Sequence, residues 1–367
     1  MAIFRKAPKQ SEQQATTLSI TETAPCQKSL RIQVEHELIA PIRAIVLAEF
    51  QKQATLSGFR KGKAPAQLVE RHYAQAIQDE TLHRVTKQVF EQATAGHHLK
   101  PVGPFEVSRA TFSETNGLLL EATVEVEPSF TLVSYKGIAL TRESTDVTPE
   151  DVERAFTQLQ RSMTQLVPAG EGQPKTPQVP ALDDEFAKDL RFETLDKLRA
   201  HVEAKLREQR RLASSQRLEA TLCDELLKRH AFDVPARLVS HQTQRLTRDF
   251  TARLLLSGTP EEQVEAEAAK FTEQLRTSAE RHVKLTFILD RIAEQEAVSV
   301  TQGEVVERLW QLAQRWKKDP AQVRKMFDAQ GLWPSVISTI RQQKTVALLL
   351  ATATINNGSP TQSTSSS

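Results

Sequence analysis

The segment GFRKGKAP, residues 58–65, carries the residue types in this chain that are best suited to binding a partner. Two glycines frame an aromatic residue and two cations, and a third cation follows. Glycine enters backbone conformations closed to other residues, so this spacing predicts a turn that holds the intervening side chains outward. The candidate binding and turn-forming residues are Gly58, Phe59, Arg60, Lys61, Gly62, Lys63 and Pro65.

An exposed phenylalanine leaves roughly 1.5–3 kcal/mol of burial free energy unused, so a partner that covers the ring is a natural explanation. Neighbouring cations pair with carboxylates or phosphates, and aromatic residues with arginine are typical of interface hot spots. The alternative is that Phe59 packs on its own domain and the cations are only solvated. A phosphate-binding Walker loop is excluded, because the glycine spacing is too short and Lys63 is followed by Ala64.

Other clusters of polar residues favour structural roles. His97 and His98 are adjacent, so their side chains diverge, and no cysteine or carboxylate set accompanies them at metal-ligand spacing. Asp183, Asp184 and Glu185 precede an apolar helical segment, where they suit the first turn of a helix better than an acid pair for catalysis. No GxSxG motif is present. We therefore predict a protein that is not an enzyme and has no catalytic residues, cofactor or metal.

Composition limits the remaining classes of function and cellular location. Forty-eight Lys and Arg against 46 Asp and Glu argue against nucleic-acid binding over the whole surface. Cys26 and Cys223 match no metal-ligand spacing or disulfide framework, which fits a reducing compartment. The N-terminal residues contain no apolar run typical of a signal peptide, and residues 346–355 fall short of the about 20 needed to cross a bilayer. We expect a soluble, cytoplasmic protein with no membrane partner.

The first part of the chain predicts an α+β domain. Leu30, Ile32 and Val34 alternate with polar residues, as in a half-buried strand, and residues 18–23 are a plausible hairpin partner. Helices are predicted at about 39–54 and, after the loop, through about 95. Alternation returns at 118–127, so we predict an antiparallel sheet.

Thr148, Pro149 and Asp151 then predict a helix start, with the helix running to about Leu166. Residues 168–180 carry four prolines and two glycines, which predicts a linker with neither helix nor strand.

From Leu182 onward apolar residues recur every three or four positions, which predicts an all-helical region. Long helices are expected at about 195–230 and 261–297, and such helices tend to project as arms. Three further helix starts are predicted where a capping residue is followed by a proline or a glutamate. These are Thr259 with Pro260, Thr301 with Glu304, and Asp319 with Pro320.

These patterns predict five segments. They are a mobile tail at 1–16, an α+β domain at 17–147, a helix with a Pro/Gly-rich linker at 148–180, a helical domain at 181–355 and a disordered tail at 356–367.

The loop string, placed after a strand pair and a helix, resembles the GFRxGxxP ribosome-docking signature of the trigger factors. The segment PALDDEFAKDL, Pro180–Leu190, is similar to the entry of that family's helical chaperone domain, and the resemblance covers nearly all of the chain outside the tails. It implies an ATP-independent chaperone with a ribosome-binding domain and extended helical arms. It also implies that Phe59, Arg60 and Lys61 contact a protein at the exit-tunnel rim and adjacent ribosomal RNA, with Gly58, Gly62 and Pro65 shaping the loop.

The other partners implied are nascent and unfolded polypeptides, and a possible second copy in a free homodimer. Most members of the family carry a prolyl isomerase domain of the FK506-binding type between the two regions. The linker at 168–180 is too short for a domain of roughly 50 residues, so we expect no isomerase activity. Three alternatives stay open: a free holdase resembling periplasmic folding factors, an isomerase with an unrecognised site, and an RNA-binding protein that uses the basic loop.

Overall fold

The computed structural model describes residues 16–113, 117–163, 165–168 and 175–357, with only the backbone described at 165–168 and 175–178. The strands are β1 (Thr16–Ala24), β2 (Gln27–Val34), β3 (Glu106–Ser113), β4 (Gly117–Glu125), β5 (Ala139–Arg142), β6 (Gln165–Pro168), β7 (Lys175–Gln178) and β8 (Thr354–Asn357). The helices are α1 (His36–Gln53), α2 (Ala66–His72), α3 (Ala74–Gly96), α4 (Pro149–Ser162), α5 (Asp184–Asp189), α6 (Leu195–Arg229), α7 (Ala236–Leu256), α8 (Glu261–Lys270), α9 (Thr272–Gln295), α10 (Gln302–Trp316), α11 (Pro320–Gln330) and α12 (Trp333–Thr352).

The chain forms two compact units, each assembled from two separate stretches. The first contains the residues up to Thr131 together with Ala231–Phe287. The second contains Leu132–His230 and the residues from Ile288 on. The predicted segment boundaries stay predictions, since these units follow packing rather than chain order.

The first unit is built on an antiparallel sheet of four strands in the order β1-β2-β4-β3. As the alternation predicts, Leu30, Ile32 and Val34 of β2 are fully buried, and Ile32 lies opposite Leu120 of β4. Helices α1 and α3 contribute Ile39, Val85 and other apolar residues to the same core. Each fully buried side chain of this size stabilises the fold by about 1.5–3 kcal/mol. The predicted fold class, an α+β region with an antiparallel sheet followed by a helical region, is confirmed, although the second region is mostly rather than wholly helical.

Helix α7 is fixed to the first unit by its N-terminal turn. The Arg237 backbone N–H donates to both carboxylate oxygens of Glu125, at 2.9 and 3.2 Å, and Glu125 is buried at the end of β4. The Arg237 guanidinium also pairs with Glu106 of β3 at 2.6 Å. A helix N-terminus favours a carboxylate, so the buried charge of Glu125 is compensated there.

The second unit joins α4, α5 and α6 through a core that contains Phe156, Phe186 and Leu198. Thr148 and Asp151 form the predicted capping box at the start of α4. Helix α6 matches the predicted long helix, and Thr194 caps it by accepting from Lys197 N–H. As predicted, a capping box of Thr301 and Glu304 opens α10, and Asp319 followed by Pro320 opens α11.

Several predictions for the part of the chain after α4 are wrong. Residues 165–178 contain the antiparallel pair β6 and β7 where no strand was expected. The prolines at 168 and 177 stand in this ladder because both strands of an isolated pair are edge strands, which need no outward N–H donor. The region after Leu182 is not wholly helical, since β8 pairs in parallel with β5.

The expected long helix at 261–297 is interrupted at Phe271, whose ring packs edge-on against Phe250 of α7 at 5.2 Å between centroids. Its N-terminal cap is Pro260 rather than Thr259. Three residues assigned to the expected tails belong to strands instead: Thr16 opens β1, and Asn356 and Asn357 close β8. Residues 1–15 and 358–367 lie outside the described residues.

Gly117 opens β4 in a conformation that a side chain would prevent. Its φ is +73°, and a Cβ there would lie 2.0 Å from the carbonyl oxygen of Val34. We predict that Gly117→Ala lowers the free energy of unfolding by about 2 kcal/mol or more, from left-handed strain and displacement of β2. Urea unfolding followed by circular dichroism measures the change. Gly96→Ala is the control, because Gly96 ends α3 with open space around it. Equal stabilities of the two variants would contradict the prediction.

Asp151 predicts a pH dependence of stability. The Thr148 amide and hydroxyl, with the Arg210 guanidinium at 2.6 Å, hold the pKa of Asp151 below its ordinary value of 3.8. A lowered pKa stabilises the fold above pH 3.8, and this contribution disappears as pH falls through the folded-state value. We predict that Asp151→Asn lowers the free energy of unfolding by about 1 kcal/mol at pH 7.

The difference between wild type and Asp151→Asn should shrink in urea titrations carried out below pH 3.8. Glu150→Gln is the matched control, since Glu150 is an exposed acid in the same helical turn. A gap between wild type and Asp151→Asn that stays constant down to acid pH would rule out the proposed origin of the effect.

Candidate docking loop

The loop that follows α1 is anchored at its base by small, buried residues. Ala54 and Ala64 are buried and pack with Val46, Val69 and Ile77 of α1, α2 and α3. The Gln51 side-chain amide donates to the Ala64 carbonyl at 2.9 Å. The base is therefore part of the core of the first unit, and the loop leaves and re-enters that core over a short span.

Gly62 allows the returning chain to approach the end of α1. Its N–H donates to the Ala54 carbonyl at 3.2 Å, and its φ is +76°. A Cβ at this position would lie 2.9 Å from the carbonyl oxygen of Lys52. Only glycine combines this conformation with this approach. Gly58 also has a left-handed φ, of +86°, but open space surrounds it, so its role is conformational alone.

Two short turns place the binding residues at the tip. The Phe59 N–H donates to the Leu56 carbonyl at 3.0 Å, and the Lys63 N–H donates to the Arg60 carbonyl at 2.9 Å. Phe59 is 41% exposed, and Arg60, Lys61 and Lys63 are also exposed. Pro65 is the N-cap of α2. The loop thus presents its ring and its cations to solvent.

The cations of the loop have no acidic partners within the part of the chain that the structure describes. Nearby acids are already paired: Glu70 of α2 with Arg43 at 2.9 Å, and Glu49 of α1 with Arg84 at 2.6 Å. Hydrogen bonds from Arg84 lower the pKa of Glu49, and in return the pKa of Arg84 is raised. The positive charge of the tip is therefore available to a partner.

Four residues beside the loop were not identified from the sequence. Leu56, Leu68, Arg71 and His72 line a groove next to Phe59. The i, i+3 and i+4 spacing of the last three on α2 is a signal that a helical-face analysis would have found.

The other polar candidates have structural roles or no shared site. Asp183 caps α5 by accepting from Phe186 N–H, and Asp184 accepts from Leu195 N–H. Within the described ranges no group of His, Cys, Asp and Glu is arranged to hold a metal ion. Burial raises the pKa of Cys223 to about 11, so this thiol stays protonated at neutral pH. Over the same ranges, no helix is both long enough and apolar enough to cross a membrane.

Two family descriptions match the chain. "Bacterial trigger factor protein (TF)" matches residues 16–159, and "Bacterial trigger factor protein (TF) C-terminus" matches residues 194–351. The first match includes the sheet and the candidate docking loop, and the second includes α6 to α11 and most of α12. Only residues 160–193 lie between them.

Individual proteins agree with these matches. A trigger factor of Geotalea daltonii is 23% identical over an alignment of 427 positions that covers 92% of this chain and 97% of the relative. A trigger factor of Geobacillus kaustophilus is 25% identical, and its alignment covers 88% of this chain and 95% of the relative. The alignment with the first exceeds the 367 residues of this chain, so the relative contains positions without a counterpart here.

A solved structure described as "Promiscuous Substrate Recognition in Folding and Assembly Activities of the Trigger Factor Chaperone" shares the fold. Its TM-score is 0.54 at 17% identity, over 91% of this chain and 99% of that one. The family matches, the relatives and the fold agree, and the chain belongs to the trigger factor family of protein-folding chaperones.

Proposed function

We propose that this protein docks on the ribosome through the loop at residues 58–65 and holds nascent or unfolded polypeptides without ATP. Phe59, Arg60 and Lys61, assisted by Lys63, contact a protein at the rim of the exit tunnel and the adjacent ribosomal RNA. Docking raises the local concentration of the helical region around each new chain. The site of action is then the cytoplasm, and docking needs no cofactor.

The observation that carries the docking role is the exposure of Phe59 next to cations that have no ion pair with any residue that the structure describes. The base of the loop is closed by buried alanines and hydrogen bonds, so the fold does not need the ring for its own core. An apolar ring surrounded by positive charge suits a ribonucleoprotein, which offers apolar protein surface and phosphates together.

Binding of unfolded chains is supported by apolar side chains that the helices leave exposed. Leu256 at the end of α7 is 89% exposed and Trp310 of α10 is 54% exposed. Other large apolar residues exposed on the helices include Leu255, Val306, Trp316 and Ile337, and Phe271 is exposed between α8 and α9. Dispersed apolar contacts bind many unfolded sequences weakly, and several sites acting together supply affinity.

The absence of isomerase activity is proposed from the short interval between the two family matches. Residues 160–193 are fewer than the roughly 50 that a domain requires. The longer relatives agree, since their alignment leaves positions that this chain lacks.

The docking proposal predicts the effect of replacing Phe59, Arg60 and Lys61 together by alanine. We expect ribosome affinity to fall about a hundredfold, because hot-spot burial and charge pairing are both lost. Co-sedimentation with purified ribosomes measures it. Arg60→Ala with Lys61→Ala should bind with a weaker dependence on salt than Phe59→Ala, which keeps both charges.

Arg324→Ala with Lys325→Ala is the matched control, because it removes the same charge from the exposed surface of α11. Gly62→Ala keeps every binding side chain but distorts the loop, and we expect it to bind weakly as well. If the triple alanine variant sediments with ribosomes as wild type does, the docking role is wrong.

The proposed lack of isomerase activity predicts that the protein does not accelerate a refolding reaction limited by prolyl isomerisation. Such reactions take tens of seconds uncatalysed, because the peptide-bond barrier is high and holding a chain does not lower it. Refolding followed by fluorescence, with a bona fide isomerase as positive control, measures the rate. In parallel, the protein should suppress aggregation of the unfolded substrate. A rate that rises in proportion to added protein would contradict the proposal.

A further inference from the structure

A groove of about 440 Å³ lies beside Phe59, lined by Leu56, Ser57, Phe59, Leu68, Arg71 and His72. We propose that this groove is a second part of the ribosome-docking surface and takes an apolar side chain of an acidic protein segment, whose carboxylate pairs with Arg71. The inference rests on the proposed docking function and extends it from the loop onto α2.

The placement of side chains on α2 makes one of its faces available. Leu68, Arg71 and His72 stand at i, i+3 and i+4, so they share a face of the helix. Val69, the next residue along, is fully buried and fixes α2 to the core under the loop. The groove wall is therefore held by a rigid helix whose inner face is already occupied.

Part of the groove lining is apolar. Leu68 is 43% exposed and lies in the same groove as the exposed ring of Phe59, with the half-buried Leu56 alongside. Two large apolar side chains left open side by side next to a binding loop form a contiguous patch, and such patches mark interaction sites. An aliphatic or aromatic side chain of a partner would fill this space.

The charges around the groove specify an acidic occupant. Arg71 is exposed and has no ion pair among the residues that the structure describes, as is also true of Arg60, Lys61 and Lys63. The acid next to it, Glu70, is engaged by Arg43 at 2.9 Å. An arginine at the edge of an apolar groove binds a carboxylate strongly, because its planar donors pair with both oxygens.

A protein segment fits this groove better than RNA does. Bases bind on flat aromatic faces, and within the groove Phe59 offers one, but the adjoining Leu56 and Leu68 are aliphatic and offer none. The His72 ring is packed edge-on against Tyr73, at 4.8 Å between centroids. The cations at the loop tip remain available for phosphates, so RNA contact belongs to the tip and protein contact to the groove.

The test compares Leu68→Ala and Arg71→Glu in binding to intact ribosomes and to protein-free ribosomal RNA. We expect each variant to bind intact ribosomes about tenfold more weakly than wild type. Binding to the protein-free RNA should be the same for Leu68→Ala as for wild type. Both residues are exposed, and circular dichroism should confirm an unchanged fold.

Two controls match the test variants. Gln67→Ala changes an exposed residue of α2 outside the groove, and Lys87→Glu makes the same charge change as Arg71→Glu on α3. Both should bind ribosomes nearly as wild type does. If Lys87→Glu weakens ribosome binding as much as Arg71→Glu does, the effect comes from net charge alone and the inference is overturned.

The remaining outcomes separate this inference from the docking function itself. If Leu68→Ala and Arg71→Glu bind ribosomes as wild type while the triple alanine loop variant does not, the groove inference is wrong and the loop stands. If the loop variant also binds as wild type, the docking function is wrong. If Leu68→Ala weakens binding to protein-free RNA as much as to ribosomes, the occupant is RNA and the acidic protein segment is excluded.

Discussion

The close approach of Gly62 to the last turn of α1 is the constraint on which the proposed docking surface depends. Because a glycine stands there, the chain turns back against the Lys52 carbonyl and donates a hydrogen bond to Ala54. Ala54 and Ala64 then close the base inside the core. The backbone polar groups at the base are satisfied internally, so the stability of the fold does not require burial of Phe59.

This arrangement separates folding from binding. The sheet and the helices α1 and α3 share one core, and α2 belongs to the smaller cluster beneath the loop. The ring and the cations project from that frame, and the cations have no ion pair with any residue that the structure describes. A surface held by a rigid frame loses little conformational entropy on docking, which favours affinity from few contacts. The helices, in contrast, expose dispersed apolar residues, as a chaperone with many clients requires.

Local sequence signals predicted the elements whose causes are local. The alternation around Ile32 placed β2, and Thr148 with Asp151 and Thr301 with Glu304 placed two helix starts, because caps and strand faces depend on neighbouring residues. Phe271, where the helix breaks, contacts a ring of another helix, and the pairing of β5 with β8 joins segments distant in sequence. Neither leaves a periodic signal. The loop string identified the tip, whereas the groove on α2 was missed, although Leu68, Arg71 and His72 share one face of that helix.

The most direct measurement places a photo-activated cross-linker, p-benzoylphenylalanine, at position 59 of the full-length protein on translating ribosomes. A ring that docks at the tunnel exit will form a light-dependent cross-link to a ribosomal protein at that rim, identified by mass spectrometry. The same probe at position 327, where the native Phe is buried, should form none. Cross-links from position 59 that stay within the chain, with ribosomes in excess, would contradict the account.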